Sequence, residues 1–299
     1  MSDRVRFAAV CVLVALAWAC GGPAPSNQLS SAISVIAGEN FWGSIALQLG
    51  GARVSVQSVV TDPNADPHEY ESSANDARAF AEAGLVILNG AGYDDWGRKL
   101  LDANPASGRH VLTVADLLGK KVGDNPHFWY SPDYVVRVAD AITAQYKSID
   151  SADAAYYDQR RAEFTVALRP YTDEIAKIKA KYVGTPVGAT ESIFVYLAAA
   201  LGLDLTTPVE FMNAVAEGTD PPASAVVEFQ DQVSANQIKA LVYNVQTTTA
   251  VTTTVKALAA SHHIPSVGVS ETLLPENVTF QDWQLKQLAS LEVALSSAS

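Results

Sequence analysis

Residues 151–182 read SADAAYYDQRRAEFTVALRPYTDEIAKIKAKY, and they contain neither a glycine nor a strand pattern. Apolar side chains recur in this segment at steps of three and four residues, which predicts one continuous helical stripe made of Tyr157, Phe164, Leu168, Tyr171, Ile175, Ile178 and Tyr182. A single helix of this length would be roughly 48 Å long at a rise of 1.5 Å per residue. We expect Pro170 to kink this helix; the alternative is two helices joined at Pro170.

Short apolar runs of strand character alternate with amphipathic runs on both sides of this segment. The predicted strands cover residues 33–37, 54–60, 85–88 and 111–114 before it, and residues 185–189, 208–212, 240–243 and 266–269 after it. This β-α-β rhythm is typical of parallel sheets with flanking helices. We therefore predict an α/β fold with two βα lobes, over residues 32–150 and 183–299. Each lobe is a mainly parallel sheet flanked by helices, and one long linking helix over residues 151–182 joins them.

The N-terminus has the pattern of a secretion signal. Two arginines precede an apolar run over residues 7–19, which is too short to span a bilayer comfortably and is typical of a signal peptide. The run ends directly before Cys20 and two glycines. This pattern resembles a bacterial lipoprotein cleavage site, in which the cysteine is lipidated. The alternatives are ordinary cleavage near Ala19 and an uncleaved anchor. We predict a signal peptide over residues 1–19, a lipidated flexible tether over residues 20–31, and an extracytoplasmic protein that is lipid-anchored to the cell membrane.

Charge and cysteine content narrow the classes of partner and site. The 299 residues carry 32 Asp and Glu against 20 Lys and Arg, a formal net charge of -12, which argues against a nucleic-acid partner. Of the two cysteines, Cys11 lies in the predicted signal peptide and Cys20 is the predicted lipid site. The mature domain is therefore expected to form no disulfide and no thiolate metal site, so a bound metal would have nitrogen and oxygen ligands.

Two of the five histidines lie in matching Pro-His-x-aromatic segments, at His68 in DPHEY and at His127 in NPHFW. A proline before each histidine favours an extended backbone and disfavours a helix, so each imidazole is expected to project from a loop with a partly fixed direction. That presentation suits a metal ligand or a general base. The alternative for either residue is an ordinary histidine in a surface loop.

Two glutamates follow predicted strands of the second lobe directly: Glu191 and Glu271. Ligands of open α/β sheets bind beyond the carboxyl ends of the strands. Two imidazoles from the first lobe, those of His68 and His127, would then face two carboxylates across the cleft between the lobes. The alternative for each glutamate is an acid at a helix N-terminus that interacts with the helix dipole.

Four motifs in combination resemble one protein family. They are Asp66-Pro-His-Glu-Tyr-Glu71, Val86-Ile-Leu-Asn89-Gly90, Asn125-Pro-His-Phe-Trp129 and the Asp150-x-x-x-Ala-x-Tyr156 opening of the linking helix. Together they resemble the cluster A-I metal-binding lipoproteins, the solute-binding subunits of zinc and manganese ABC transporters. The resemblance runs from about residue 33 to the C-terminus, covering nearly the whole mature chain.

The resemblance implies a ligand set and partners. The family's first three metal ligands fall on His68, His127 and Glu191, and the fourth, usually an aspartate, falls on Glu271. It also implies a monomer that captures one divalent ion in the cleft and docks on the membrane permease of an ABC transporter. No catalytic residue is expected.

The donor set and the missing motifs guide the choice of metal and of function class. Two histidines and two carboxylates suit manganese or ferrous iron, whereas zinc binds such sites tightly by the Irving–Williams order. Residues 116–125 also lack the histidine-rich loop of many zinc-binding members. We favour manganese, with zinc next and iron possible.

Two other classes of function are weaker candidates. The first is a metallohydrolase, but the sequence has no His-Glu-x-x-His and no Gly-x-Ser-x-Gly motif. The second is a surface adhesion module, which would need repeats that the sequence lacks.

Overall fold

The computed structural model describes residues 32–62, 70–275 and 277–297. The predicted signal peptide, the tether with Cys20, and His68 lie outside these residues. Among the helices that the structure does describe, none combines the length and the apolar character needed to cross a bilayer.

The first lobe is a four-stranded, all-parallel sheet in the order β2-β1-β3-β4. Its strands are β1 Ile33–Glu39, β2 Val54–Val60, β3 Leu85–Leu88 and β4 His110–Thr113. Its helices are α1 Asn40–Gly50, α2 Ala74–Glu82, α3 Asp95–Ala103, α4 Val114–Leu118 and α5 Pro132–Ile149.

The local sequence explains where two of these helices begin. Ser73 and Asp76 form a reciprocal capping box at the start of α2, and Ser131 caps α5, which has a proline in its first turn.

The second lobe repeats the same topology, with a parallel sheet in the order β6-β5-β7-β8. Its strands are β5 Pro186–Ala189, β6 Asp204–Leu205, β7 Leu241–Asn244 and β8 Ser266–Val269. Its helices are α8 Val195–Leu201, α9 Val209–Ala216, α10 Ala223–Ser234, α11 Ala250–Ser261 and α12 Phe280–Ser297. The predicted fold class, two parallel βα lobes flanked by helices, is confirmed.

The strand predicted over residues 208–212 is wrong. This segment begins helix α9, and the corresponding strand is the short β6 four residues earlier. Phe211, Met212 and Val215 are the buried residues of α9, a spacing that suits a helix face. A short apolar run does not distinguish a strand from a buried helical turn by its periodicity, and Pro208 fits directly before a helix.

The segment between the lobes is helical but divided. A short 3-10 turn, Ser151–Asp153, leads into α6 Ala154–Ala167, and α7 Arg169–Tyr182 follows after a single residue, Leu168. Leu168 keeps helical dihedral angles (φ -79°, ψ -15°), and its carbonyl still accepts a hydrogen bond from the amide of Thr172 at 3.1 Å. Pro170 has no amide hydrogen to donate to the preceding turn, which accounts for the interruption two residues before it. All seven residues of the predicted apolar stripe are buried.

One hydrophobic core extends through both lobes and joins them. It includes Phe41 and Trp129 from the first lobe, Leu168 from the segment between the helices, and Val187 and Leu273 from the second lobe. Smaller clusters fill the outer side of each sheet. This shared core sets the carboxyl ends of the two sheets opposite each other, where the candidate ligands lie.

Candidate metal centre

His127 lies in the loop that leads into the 3-10 turn Phe128–Tyr130, and it is fully buried. Asn125 fixes the ring: its Oδ1 accepts a hydrogen bond from the amide of His127 at 3.0 Å and lies 2.7 Å from Nδ1. The amide nitrogen of the same side chain donates to the carbonyl of Ser192 at 2.7 Å, so Oδ1 is the acceptor on the histidine side. Nδ1 therefore carries the proton, and Nε2 has the lone pair that a metal would use.

A cluster of buried aromatic rings packs against the loop of His127. The Trp129 ring stacks on Phe41 with centroids 3.8 Å apart, and it meets the imidazole edge-on at 5.3 Å. Tyr93 packs against both Trp129 and His127. Because all of these rings are buried, the imidazole has little freedom to turn.

Asn89, directly after strand β3, ties the same loop to the sheet. Its Nδ2 donates to the carbonyl of Pro126 at 2.9 Å, and its Oδ1 accepts a hydrogen bond from Nε1 of Trp42 at 3.1 Å. The residue is fully buried, so these are desolvated bonds that would be costly to break.

The two predicted glutamates of the second lobe are also buried. Glu191 follows strand β5 and is 1% exposed, and Glu271 follows strand β8 and is 0% exposed. Their side chains meet at Asn244, the last residue of β7, whose Nδ2 donates to Oε1 of Glu191 at 2.9 Å and to Oε1 of Glu271 at 2.7 Å. The carboxyl ends of three neighbouring strands therefore supply this half of the centre.

The structure brings three of the four predicted ligands together. One candidate ligand atom from each of His127, Glu191 and Glu271 lies within 4.8 Å of the others. His68, the fourth, lies outside the described residues. A set of one imidazole and two carboxylates within this distance has the chemistry of a divalent metal site.

Tyr93 connects the two halves of the centre. It belongs to the first lobe, and its hydroxyl donates a hydrogen bond of 2.6 Å to Oε2 of Glu271 in the second lobe. The backbone amide of Glu271 donates to Oε1 of Gln246 at 2.7 Å. Both the carboxylate and the main chain of this candidate ligand are thus held in place.

A second pair of buried acids lies beside the centre. Burial raises the pKa of Glu39 well above its ordinary value of 4.5, and the negative charge of Asp94 raises it further. Burial also raises the pKa of Asp94, to about 6, against the lowering effect of hydrogen bonds from the amides of Gly90 and Asn89 at 2.7 and 2.5 Å. Burial and the neighbouring Asp94 carboxylate therefore both favour the neutral form of Glu39, and the two side chains share a hydrogen bond.

The sequence prediction missed Glu39, Tyr93, Asp94 and Asn244. Glu39 and Asn244 are the last residues of strands β1 and β7, so the strand-end argument that found Glu191 and Glu271 applies to them equally. No local signal identifies Tyr93, because its partner lies 178 residues away.

Comparison with known proteins gives a family and a fold. The family model described as zinc-uptake complex component A, periplasmic (ZnuA), matches residues 35–294. The manganese ABC transporter substrate-binding lipoprotein PsaA of Streptococcus mitis is 27% identical over 246 residues, covering 75% of each chain. The manganese-binding lipoprotein MntA of Halalkalibacterium halodurans is 24% identical over 234 residues, covering 75% of this chain and 77% of the relative.

Solved structures share the architecture. The substrate-binding protein FpvC of Pseudomonas aeruginosa in complex with Mn²⁺ superposes with a TM-score of 0.73 at 18% identity, covering 90% of this chain and 100% of that one. A crystal structure of ZnuA gives a TM-score of 0.68 at 23% identity, covering 90% and 98%. At these identities the likeness shows the two-lobe fold.

The family match spans nearly all of the described chain, from β1 to α12. The prediction of a solute-binding protein rather than an enzyme is confirmed by this match and by the curated relatives. The chain belongs to the ZnuA family, and it is a metal-binding substrate-binding protein of an ABC transporter.

Proposed function

We propose that this protein captures one divalent transition metal ion between its lobes, with manganese favoured over zinc and iron, and delivers it to the membrane permease of an ABC transporter. The observation that carries the proposal is the buried cluster of His127, Glu191 and Glu271. The proposed ligands are these three residues and His68, which the Pro-His motif of the first lobe suggests.

The electrostatics of the cluster favour a cation. Two carboxylates that share one amide donor, in a site with almost no solvent exposure, repel each other strongly when both are ionised, because little water screens them. Asn244 is a neutral donor, so it positions the carboxylates without cancelling their charge. A divalent ion would supply that compensation.

The donor set supports manganese as the favoured ion. Carboxylate oxygens are ligands that manganese accepts readily, whereas zinc is more often bound by nitrogen and sulfur. The curated relatives at 24–27% identity include several named for manganese, and the family itself is named for zinc uptake. The proposal therefore names manganese first and keeps zinc and iron as alternative ions.

The sequence supports the remaining features of the proposal. We propose a monomer with the domain boundaries predicted above, anchored outside the cytoplasm by a lipid on Cys20, with no nucleic-acid partner. The anchor keeps the loaded protein close to the permease, where the ion is transferred.

Calorimetric titration of the metal-stripped mature domain tests the proposal. We expect one-to-one binding of Mn²⁺ in the wild type, and loss of binding in His127→Ala, Glu191→Gln and Glu271→Gln, because each variant removes a charged or nitrogen ligand. His68→Ala tests the fourth ligand in the same way.

Two matched variants serve as controls. His262→Ala changes a histidine at the end of α11, and Glu228→Gln changes an exposed glutamate of α10. Both should bind Mn²⁺ like the wild type. Absence of binding in the wild type, or equal binding in the wild type and all ligand variants, would contradict the proposal.

A further inference from the structure

The donor that organises the two carboxylates is Asn244. Its side-chain nitrogen has two hydrogens, and its two shortest contacts are the Oε1 atoms of Glu271 at 2.7 Å and Glu191 at 2.9 Å. A third contact, to Oγ1 of Thr247, is longer at 3.0 Å. One amide therefore sets the distance and the direction of two candidate ligands that lie 80 residues apart in the chain.

The orientation of this amide is itself fixed. Oδ1 of Asn244 accepts a hydrogen bond of 2.9 Å from the backbone amide of Gln246, so the nitrogen must point to the carboxylates. Asn244 ends strand β7, which pairs with β5 on one side and β8 on the other, and it is 1% exposed. Its backbone therefore lies between the two strands that Glu191 and Glu271 follow.

We propose that Asn244 is a positioning residue that determines the metal preference of the site by holding Glu191 and Glu271 in one fixed arrangement. This inference rests on the proposed function of the same site. A lysine or arginine at this position would neutralise the carboxylates and compete with the ion, and an aspartate would add a third negative charge. A neutral amide donor fixes their geometry and leaves their charge available.

The consequence is different for the two ions. Manganese depends on carboxylate oxygens for most of its coordination, whereas zinc gains a larger share of its affinity from imidazole nitrogen. Loss of the Asn244 hydrogen bonds removes the restraint that the two carboxylates share, and it leaves the bonds that orient His127 in place, because those come from Asn125. Manganese binding should therefore suffer more than zinc binding.

The test uses the nearly isosteric Asn244→Leu and the smaller Asn244→Ala, each titrated calorimetrically with Mn²⁺ and with Zn²⁺ after metal removal. We expect Mn²⁺ affinity to fall by about 10- to 100-fold, the usual effect of removing a group that orients a metal ligand. Zn²⁺ affinity should fall less, so the ratio of the two affinities shifts toward zinc. A general loss of structure would lower both affinities alike and leave the ratio unchanged.

Thr247→Val is the matched control, because it removes the hydroxyl that contacts the same amide nitrogen but leaves both carboxylate bonds. It should keep the wild-type affinities and ratio. The electron paramagnetic resonance spectrum of bound Mn²⁺ at saturation should change in the Asn244 variants and stay unchanged in Thr247→Val.

The outcomes separate the two proposals. If the wild type binds neither ion, the proposed function is wrong and the role of Asn244 falls with it. If the wild type binds but the Asn244 variants keep its ratio of affinities, or Thr247→Val shifts the ratio equally, only the role of Asn244 is overturned. Loss of the native circular dichroism spectrum in both Asn244 variants would make Asn244 a folding residue and would also overturn it.

Discussion

The two lobes have the same strand order, and in each an asparagine stands at the carboxyl end of the corresponding strand: Asn89 after β3 and Asn244 at the end of β7. Asn89 bonds to a backbone carbonyl and to Trp42, and so it fixes the loop that carries His127. Asn244 bonds to the candidate ligands themselves. The strand-end asparagine of the first lobe thus acts on its ligand through the loop, whereas that of the second lobe bonds its ligands directly.

This difference predicts that the two halves respond to different substitutions. A cavity in the aromatic cluster of the first lobe should move His127 indirectly, through the loop. In the second lobe the loss of a single donor should act directly on a carboxylate, with little change in packing. Four further predictions test this contrast.

The largest expected effect belongs to Phe41→Ala, which removes the ring stacked on Trp129. Deleting a fully buried phenylalanine costs about 3–5 kcal/mol in the free energy of unfolding, and here it should also weaken metal binding, because the loop of His127 loses its support. Urea denaturation and calorimetric titration measure the two effects.

Phe229→Ala is the matched control for Phe41→Ala. Phe229 is equally buried but packs against Phe211 in a separate cluster of the second lobe. It should lose similar stability and keep wild-type metal affinity at temperatures where the protein is folded. Equal metal affinities in the two variants would show that packing does not position His127.

The next effect is that of Tyr93→Phe, which removes the hydroxyl bonded to Oε2 of Glu271 across the cleft. A hydrogen bond to a charged group contributes about 1.5–3 kcal/mol, and we expect Mn²⁺ binding to weaken by that amount. Tyr146→Phe is the control: it removes a buried hydroxyl bonded to the carbonyl of Ala46 and should change stability alone. Tighter Mn²⁺ binding in Tyr93→Phe would mean that the hydroxyl competes with the ion.

A pH effect follows from Glu39, whose pKa is raised above its ordinary 4.5 in the folded protein. As the pH rises above this ordinary value, the unfolded chain releases its proton while the native protein retains it, so the free energy of unfolding falls, by up to about 1.4 kcal/mol per pH unit. The decline ends once the pH passes the folded-state pKa.

Glu39→Gln removes this dependence, because glutamine is nearly the same size as glutamate and is neutral at every pH. Urea denaturation of the metal-free wild type and variant at a series of pH values measures it. As the pH rises, the wild type should lose stability relative to the variant, so the free energy of unfolding of the variant minus that of the wild type should increase. Parallel curves for the two proteins would show that Glu39 is ionised in the native state.

The smallest effect is expected at the surface. Asp158 of α6 pairs with Lys147 of α5 at 2.7 Å, but its side chain is 59% exposed. Asp158→Asn should therefore cost only about 0–1 kcal/mol, less at high salt, with no change in metal affinity. A larger loss, or any change in metal binding, would mean that the contact between α5 and α6 affects the centre.

Local sequence pattern was enough to predict several features of the fold and of the site. Strand and helix periodicity predicted two parallel βα lobes, and the apolar steps of residues 151–182 predicted a buried helical stripe. The position of a residue after a strand predicted where Glu191 and Glu271 would lie. These signals are local because the side-chain periods of strands and helices are properties of the backbone.

Which side chains meet depends on how the chain packs in three dimensions. Tyr93 meets Glu271, 178 positions away, because a shared core brings the two lobes together, and Asn244 meets Glu191, 53 positions away, because β7 pairs with β5. The break at Leu168 and the helix at residues 209–216 were also decided by packing. Local periodicity carries no information about partners so distant in the chain, because their meeting depends on how the two lobes pack against each other.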